Sequence, residues 1–164
     1  MNGEDRICVR NPKADEFESW YRMYDRYATI LGLPVSRDAA VTVWSWILSS
    51  GHVVEAVVAE RSGKLVGFAH YRSFPRTLDG NEACYLDDIF VSDDERGKGT
   101  ARALIDEVER IASARGWTHV RWVTDEDNVR ARRFYEKFAE RTNLITYRVP
   151  RVLPLVGDER ENGG

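Results

Sequence analysis

Two adjacent carboxylates, Asp87 and Asp88, interrupt an otherwise apolar run, Tyr85-Leu86-Asp87-Asp88-Ile89-Phe90-Val91. Aspartate is disfavoured in strands, and an unpaired buried carboxylate is costly. A pair of them in a strand that should be central therefore asks for a reason. One reason is chemistry: a partly buried carboxylate has a raised pKa and can take up a proton near neutral pH. The other is structural: one of the two pairs with an arginine or caps backbone N–H groups. Side chains alternate along a strand, so the two point to opposite faces unless a bulge intervenes. By that parity Asp87 lies with Tyr85 and Ile89, and Asp88 with Leu86 and Phe90.

A second candidate follows at once: Arg96-Gly97-Lys98-Gly99-Thr100-Ala101-Arg102. Glycines let the backbone come close to a ligand. The N–H groups and positive dipole end of a new helix face an anion there, and Arg96 and Lys98 add positive charge at the same mouth. Strand, charged loop, glycine turn and helix, in that order, suit a phosphorylated ligand. An ordinary helix start with glycines for tight packing has the same local pattern, and a bare Gly-x-Gly is a weak signal. A P-loop is excluded, because Lys98 is followed by Gly99 rather than Ser or Thr and no glycine stands at the upstream position.

These residues must be held by ordered elements, and the totals allow for them. The chain has 164 residues with 43% apolar content, enough for one domain with a real core. The expected division is a single domain over residues 1–150 and a frayed tail over 151–164. There is no apolar run of about 18 residues to span a membrane, and the charged N-terminus does not resemble a secretory signal. Cys8 and Cys84, only two and far apart, fit buried free thiols in a reducing cytoplasm. A net charge of −3 argues against nucleic acid as a partner.

Periodicity supplies the elements. Residues 4–10 read as a strand. Phe17, Trp20, Tyr21, Tyr24, Tyr27, Ala28 and Leu31 recur at helical spacing, stopped by Gly32. Ser36 caps a second helix carrying Ala39, Ala40, Val43, Trp44, Ile47 and Leu48. Residues 53–60 and 65–74 form a hairpin about Arg61-Ser62-Gly63-Lys64. Residues 83–91 make the next strand, and the glycine turn opens a helix with Leu104, Ile105, Val108 and Ala112 on one stripe, closed by Gly116. A strand over 119–124, a short helix over 128–138 and a final strand over 143–149 complete the order β-α-α-β-β-β-α-β-α-β. The fold class is α/β (α+β), a single mixed and mostly antiparallel sheet with helices on both faces.

Arg96-Gly97-Lys98-Gly99-Thr100-Ala101 fits the pattern R/Q-x-x-G-x-G/A, with the apolar strand before it and Asn128, Ala131 and Phe134-Tyr135 after it. This order resembles the GNAT superfamily of acetyl-CoA-dependent N-acetyltransferases, strongly over 84–138 and loosely before 50. Ala101 stands where glycine is commoner. The run from Tyr85 to Val91 is similar to the corresponding strand of polyamine and related small-amine members. The resemblance implies transfer of an acetyl group from acetyl-CoA to an amine, of a small molecule or of a protein, by direct attack on the thioester. It implies that backbone N–H groups from Gly97 to Arg102 hold the pyrophosphate. The pantetheine arm would pair with Ile89, Phe90 and Val91 as an added strand, and a backbone N–H near Ile89 or Phe90 would hold the oxyanion. That needs the strand to part from residues 119–124.

Read from the residues themselves, Asp87 and Asp88 divide the roles of base and ammonium or water anchor, with the structural role open for one of the two. Asp87 is narrowly favoured as base. The resemblance makes Tyr135 the general acid for the departing thiolate, its ordinary pKa of about 10 keeping it protonated. Asn128 touches the cofactor arm or simply caps its helix. A homodimer is common in the family. His52, His70 and His119 share no metal-ligand spacing, and His70 is a minor alternative base. The aromatics Trp20, Tyr21, Tyr24, Tyr27, Trp44 and Trp46 exceed one core stripe, so some could line an amine pocket through cation–π contact. The competing reading is a non-catalytic acyl-CoA sensor, which needs the glycine turn but not Asp87, Asp88 or Tyr135.

Overall fold

The computed structural model describes residues 6–149, so the expected frayed tail from residue 151 lies outside the described residues. The chain divides into two compact units, Met1–Val123 and Thr124–Gly164. The first holds a five-stranded sheet in the order β1-β2-β3-β4-β5. Its strands are β1 (Cys8–Arg10), β2 (Val54–Arg61), β3 (Lys64–Arg76), β4 (Asn81–Val91) and β5 (Val120–Arg121). The first four pair antiparallel in sequence, and β5 adds parallel to β4. The fold is therefore mixed α/β with a mostly antiparallel sheet, as the sequence pattern implies.

Helices cover both faces. On one, α1 (Phe17–Ile30) and α2 (Arg37–Leu48) place Trp20, Met23, Ala40 and Trp44 over Val58, Phe68 and Phe90. Ser36 caps α2 by accepting from the Ala39 N–H at 3.1 Å, as its position predicts. On the other, α3 (Thr100–Ala114) buries Leu104, Ile105, Val108 and Ala112, a stripe at helical period that stabilises the packing by about 1.5–3 kcal/mol per large side chain. Gly67 shows how close this packing is. A Cβ there would lie 2.7 Å from the Phe90 carbonyl oxygen and 3.3 Å from Leu104 Cδ1. Only glycine lets the β3–β4 ladder and α3 meet at that point.

Three strands differ from expectation. The first is confined to Cys8–Arg10, and residues 4 and 5 lie outside the described residues. The strand expected over 119–124 pairs only through Val120–Arg121. The one expected over 143–149 forms no ladder among the described residues, and Leu144, Ile145, Tyr147 and Val149 are exposed. Alternation specifies which side chains share a face, but a strand also needs a neighbour for its N–H and C=O groups. In the second unit, α4 (Val129–Tyr135) is shorter than the expected 128–138.

Candidate active site

The β3–β4 ladder slips by one residue. His70 pairs with Asp88 while Tyr71 pairs with Leu86, which leaves Asp87 as an extra residue on β4. A two-against-one bulge of this kind overrides simple alternation. Asp88 Oδ2 lies 3.0 Å from His70 Nδ1. Asp87 Oδ2 lies 3.0 Å from Arg72 Nε. His70 and Arg72 are two residues apart on β3, so they share a face, and both carboxylates reach it. The opposite-face parity therefore does not hold here, and the bulge is the reason.

The two acids have different surroundings. Desolvation pushes the Asp87 carboxyl above the usual range, Arg72 pulls it back, and the charge of Asp88 adds to the rise. Arg72 also lies over the Tyr85 ring at 5.0 Å, so Asp87 belongs to an arginine-paired cluster, one of the two outcomes weighed for these residues. Asp88 is 28% exposed at its side chain. On the α1 side it faces Tyr24, whose phenol is pushed up by burial and by the Asp88 charge.

His70 was a minor candidate for base, and its geometry argues against that. It is 2% exposed, and Nε2 accepts from Trp20 Nε1–H at 3.0 Å. With Nδ1 at Asp88, both ring nitrogens are engaged. Of the aromatics weighed for an amine pocket, Trp20 and Trp44 are core. Tyr21, Tyr24 and Tyr27 pack part-buried against that core. Trp46 stacks on His52 at 4.8 Å, away from the carboxylates in sequence and contact.

Past Tyr85 and Arg121 the β4–β5 ladder ends, so Leu86 to Val91 have no β5 partner. Ser92 donates its N–H to Val66 on β3. By alternation the N–H groups of Val91 and Ile89 turn to the opposite edge, the one β5 has left, while that of Phe90 turns to β3. The parted strands thus offer an extended backbone edge beside the bulge.

The turn after β4 is built by a single 3₁₀ turn, Asp93–Glu95, followed by Gly97 and Gly99 at φ +79° and +83°. An added Cβ at either glycine would meet nothing within 4 Å, so the space over the turn is open and left-handed backbone is the local demand. Gly99 is the N-cap of α3 and has no side-chain cap. The N–H groups of Thr100, Ala101 and Arg102 precede the first bond within α3, from Ala103 to Gly99. The Thr100 hydroxyl is buried without a partner, so the backbone of that residue, not its side chain, serves the turn.

Arg96 and Lys98 do not present free charge. Arg96 is paired with Asp93 at 2.6 Å and Lys98 with Glu95 at 3.1 Å. Whatever anion the turn holds is met first by backbone donors and the helix dipole. Glu95, which the sequence reading passed over, anchors the turn. It is 5% exposed and lies under Arg61 Nε, 2.8 Å away, and Lys98. Burial raises its carboxyl, but the hydrogen bonds from Lys98 and Arg61 outweigh this and hold it below the usual range. Its only sequence signal is an acid three residues before a lysine in a loop.

In the second unit, Asn128 caps α4 by accepting from the Ala131 N–H at 3.2 Å. Tyr135 is the last residue of α4, its ring tilted against Phe134 at 5.4 Å and edge-on to Phe138 at 6.4 Å. Burial pushes its phenol above the usual range.

A cavity of about 280 Å³ lies on the α3 face, lined by Glu55, Tyr71, Glu107, Arg110, Ile111 and Arg115 among others. It is on the face of the sheet opposite the aspartates, and its charges pair with one another, Glu55 with Arg115 and Glu107 with Arg110. The two aspartates lie instead beside the edge that β4 presents where the β4–β5 ladder ends. Cys84 is buried with its thiol pushed up to about 12, and Cys8 is exposed rather than buried. Among the described residues no helix is long and apolar enough to cross a membrane.

Comparison with known proteins bears on the family of the chain. The pattern of the Acetyltransferase (GNAT) family matches residues 17–139. The D-amino-acid N-acetyltransferase HPA3 of Saccharomyces cerevisiae is 29% identical over 146 residues, 88% of this chain and 91% of that protein. A ribosomal-protein-alanine N-acetyltransferase from Brucella melitensis biovar Abortus 2308 superposes with a TM-score of 0.75 at 26% identity, covering 88% of this chain and 99% of that one. The aminoglycoside N-acetyltransferase AAC(6′)-Iy, solved in complex with CoA, shares the fold with a TM-score of 0.76 at 22% identity over 92% of this chain and 99% of that one.

Proposed function

This chain belongs to the acetyltransferase (GNAT) family and is an acetyltransferase, and from that premise we propose that it moves an acetyl group from acetyl-CoA to the primary amine of a small molecule. The observation that carries the proposal is the bulge at Asp87, which brings two carboxylates to one face of β4 where β5 has parted from it. The name of one relative, a D-amino-acid N-acetyltransferase, supports a small polar amine, whereas the ribosomal-protein-alanine N-acetyltransferase is named for a protein amine, which the test below includes.

In this reading the open turn over Gly97 and Gly99 receives the diphosphate, with the N–H groups of Gly97 and of Gly99 to Arg102 as donors, while that of Lys98 bonds the Glu95 carbonyl. Arg96 and Lys98 shape the turn while paired to their own acids. Ile89 and Val91 offer N–H groups along the free edge, and that of Ile89 polarises the thioester carbonyl. Asp88 takes the proton from the substrate ammonium, directly or through water, because one of its oxygens is oriented by His70, whereas Asp87 is paired with the Arg72 guanidinium. Asp87, already charge-paired with Arg72, holds the amine end in place. The freed amine forms the C–N bond as the C–S bond breaks, and Tyr135 gives its phenolic proton to the departing thiolate. Asn128 fixes the start of the helix that carries Tyr135.

The test is thiol release from acetyl-CoA across a panel of D- and L-amino acids, polyamines, aminoglycosides and a lysine peptide. Release above the hydrolysis background with at least one small amine is expected, and Asp88→Asn should lower kcat about 10²-fold or more. Asp87→Asn should act mainly on KM for the amine. CoA binding with no amine-dependent release would instead favour a sensor.

A further inference from the structure

We propose that His70 is a positioning residue for Asp88, with its tautomer set by Trp20. The inference rests on Asp88 as the proton acceptor of the preceding section, and it assigns a function to two buried residues that this reaction has not otherwise used. An indole N–H can only donate. The 3.0 Å contact from Trp20 Nε1 therefore makes Nε2 of His70 the acceptor, and the ring proton stands on Nδ1. Nδ1–H then donates to Asp88 Oδ2 at 3.0 Å. One carboxylate oxygen, Oδ2, is thereby held by the ring.

The relay is rigid because everything behind it is packed. Trp20 is fully buried and lies against Trp44 at 4.9 Å. The His70 ring stacks on Phe68 at 4.6 Å and meets the edge of Tyr24 at 5.5 Å. The bulge supplies the last piece, because in an unbroken register continuing from the Tyr71–Leu86 pair His70 would face Asp87, and Asp88 would alternate to the other face. The charged and titratable groups around the ring are Asp88 and Asp87 from β4, Arg72 from β3 and Tyr24 from α1. A buried donor aimed at a carboxylate orders it.

Two measurements test this. The first is ¹⁵N NMR of histidine-labelled protein near neutral pH, which reads the tautomer without reference to activity. The His70 ring should carry its proton on Nδ1, and Asp88→Asn should shift that resonance. The second is a pair of variants. An asparagine amide nitrogen overlays imidazole Nδ1, whereas that of glutamine overlays Nε2. His70→Asn should keep kcat within about threefold of the wild type, and His70→Gln should lose about tenfold or more, the scale of a lost hydrogen bond to a charged group. KM for acetyl-CoA should be unchanged in both. A proton on Nε2, or equal losses in the two variants, would overturn the relay. If the wild-type protein transfers acetyl to no amine, the acceptor role of Asp88 falls and the positioning role with it, whereas the tautomer alone decides the Trp20–His70 geometry.

Discussion

Reversing the charge placed at Gly99 separates a phosphate-binding turn from a turn that merely starts a helix. Gly99 has φ +83° and ψ −1°, so any other residue there carries left-handed strain of roughly 1–2 kcal/mol. That strain is common to Gly99→Glu and Gly99→Lys. Neither Cβ meets protein within 4 Å, so packing does not distinguish them either. The remaining difference is the sign of a charge beside the bound diphosphate. Unit charges about 5 Å apart interact by about 3 kcal/mol at an effective dielectric of 20. Exposure to solvent reduces that to about 1 kcal/mol in each direction. The two variants should then differ by about 2 kcal/mol in CoA affinity, roughly thirtyfold in Kd. Isothermal titration calorimetry with CoA measures this, and pantetheine, which lacks the phosphates, is the control. The split should appear for CoA alone and shrink toward nothing at about 1 M salt. Equal affinities of the two variants for CoA, or an equal split for pantetheine, would refute the placement of the diphosphate over Gly97 and Gly99.

Two further predictions address Tyr135 and Glu95. Tyr135→Phe should lower kcat about 10²-fold while CoA still binds, because burial keeps the wild-type phenol protonated at neutral pH and able to donate; undiminished turnover would remove Tyr135 from the mechanism. Glu95→Gln should destabilise the protein by about 1 kcal/mol near pH 7, by replacing charged hydrogen bonds to Arg61 and Lys98 with neutral ones. The folded-state pKa of Glu95 is depressed below 4.5, so its contribution is full above that pH and is lost as pH falls through the folded value. Urea denaturation should show the gap between wild type and variant narrowing as the pH falls below the ordinary carboxylate range, and a gap unchanged in acid would mean that the carboxylate charge is not what anchors the turn.

Local pattern was enough for much of this protein. The helical spacing from Phe17 to Leu31, the Ser36 cap, the Ser62-Gly63 hairpin and the stripe from Leu104 to Ala112 each lie within a few turns of chain, where propensity and period act directly. The glycine turn was legible for the same reason, since a left-handed backbone demand is written in the residue that meets it. So was the anomaly of two aspartates in an apolar strand, because burial makes any charge there conspicuous.

What the sequence left undecided depends on partners far along the chain. The bulge exists only as a register between β3 and β4, and it is what turns Asp87 and Asp88 to one face. His70 reads in sequence as a spare base. Its bond to Trp20, 50 residues away, occupies the nitrogen a base would need. Arg96 and Lys98 read as free cations until Asp93 and Glu95 fold back onto them. The alternating residues 143–149 show the converse limit, for a strand pattern without a neighbouring strand leaves its apolar side chains in water. Sequence determined which residue types stood ready and what backbone they required. The tertiary structure decided which of their charges, nitrogens and strand edges remained available, because hydrogen bonds and ion pairs are satisfied by whatever the fold brings within about 3 Å.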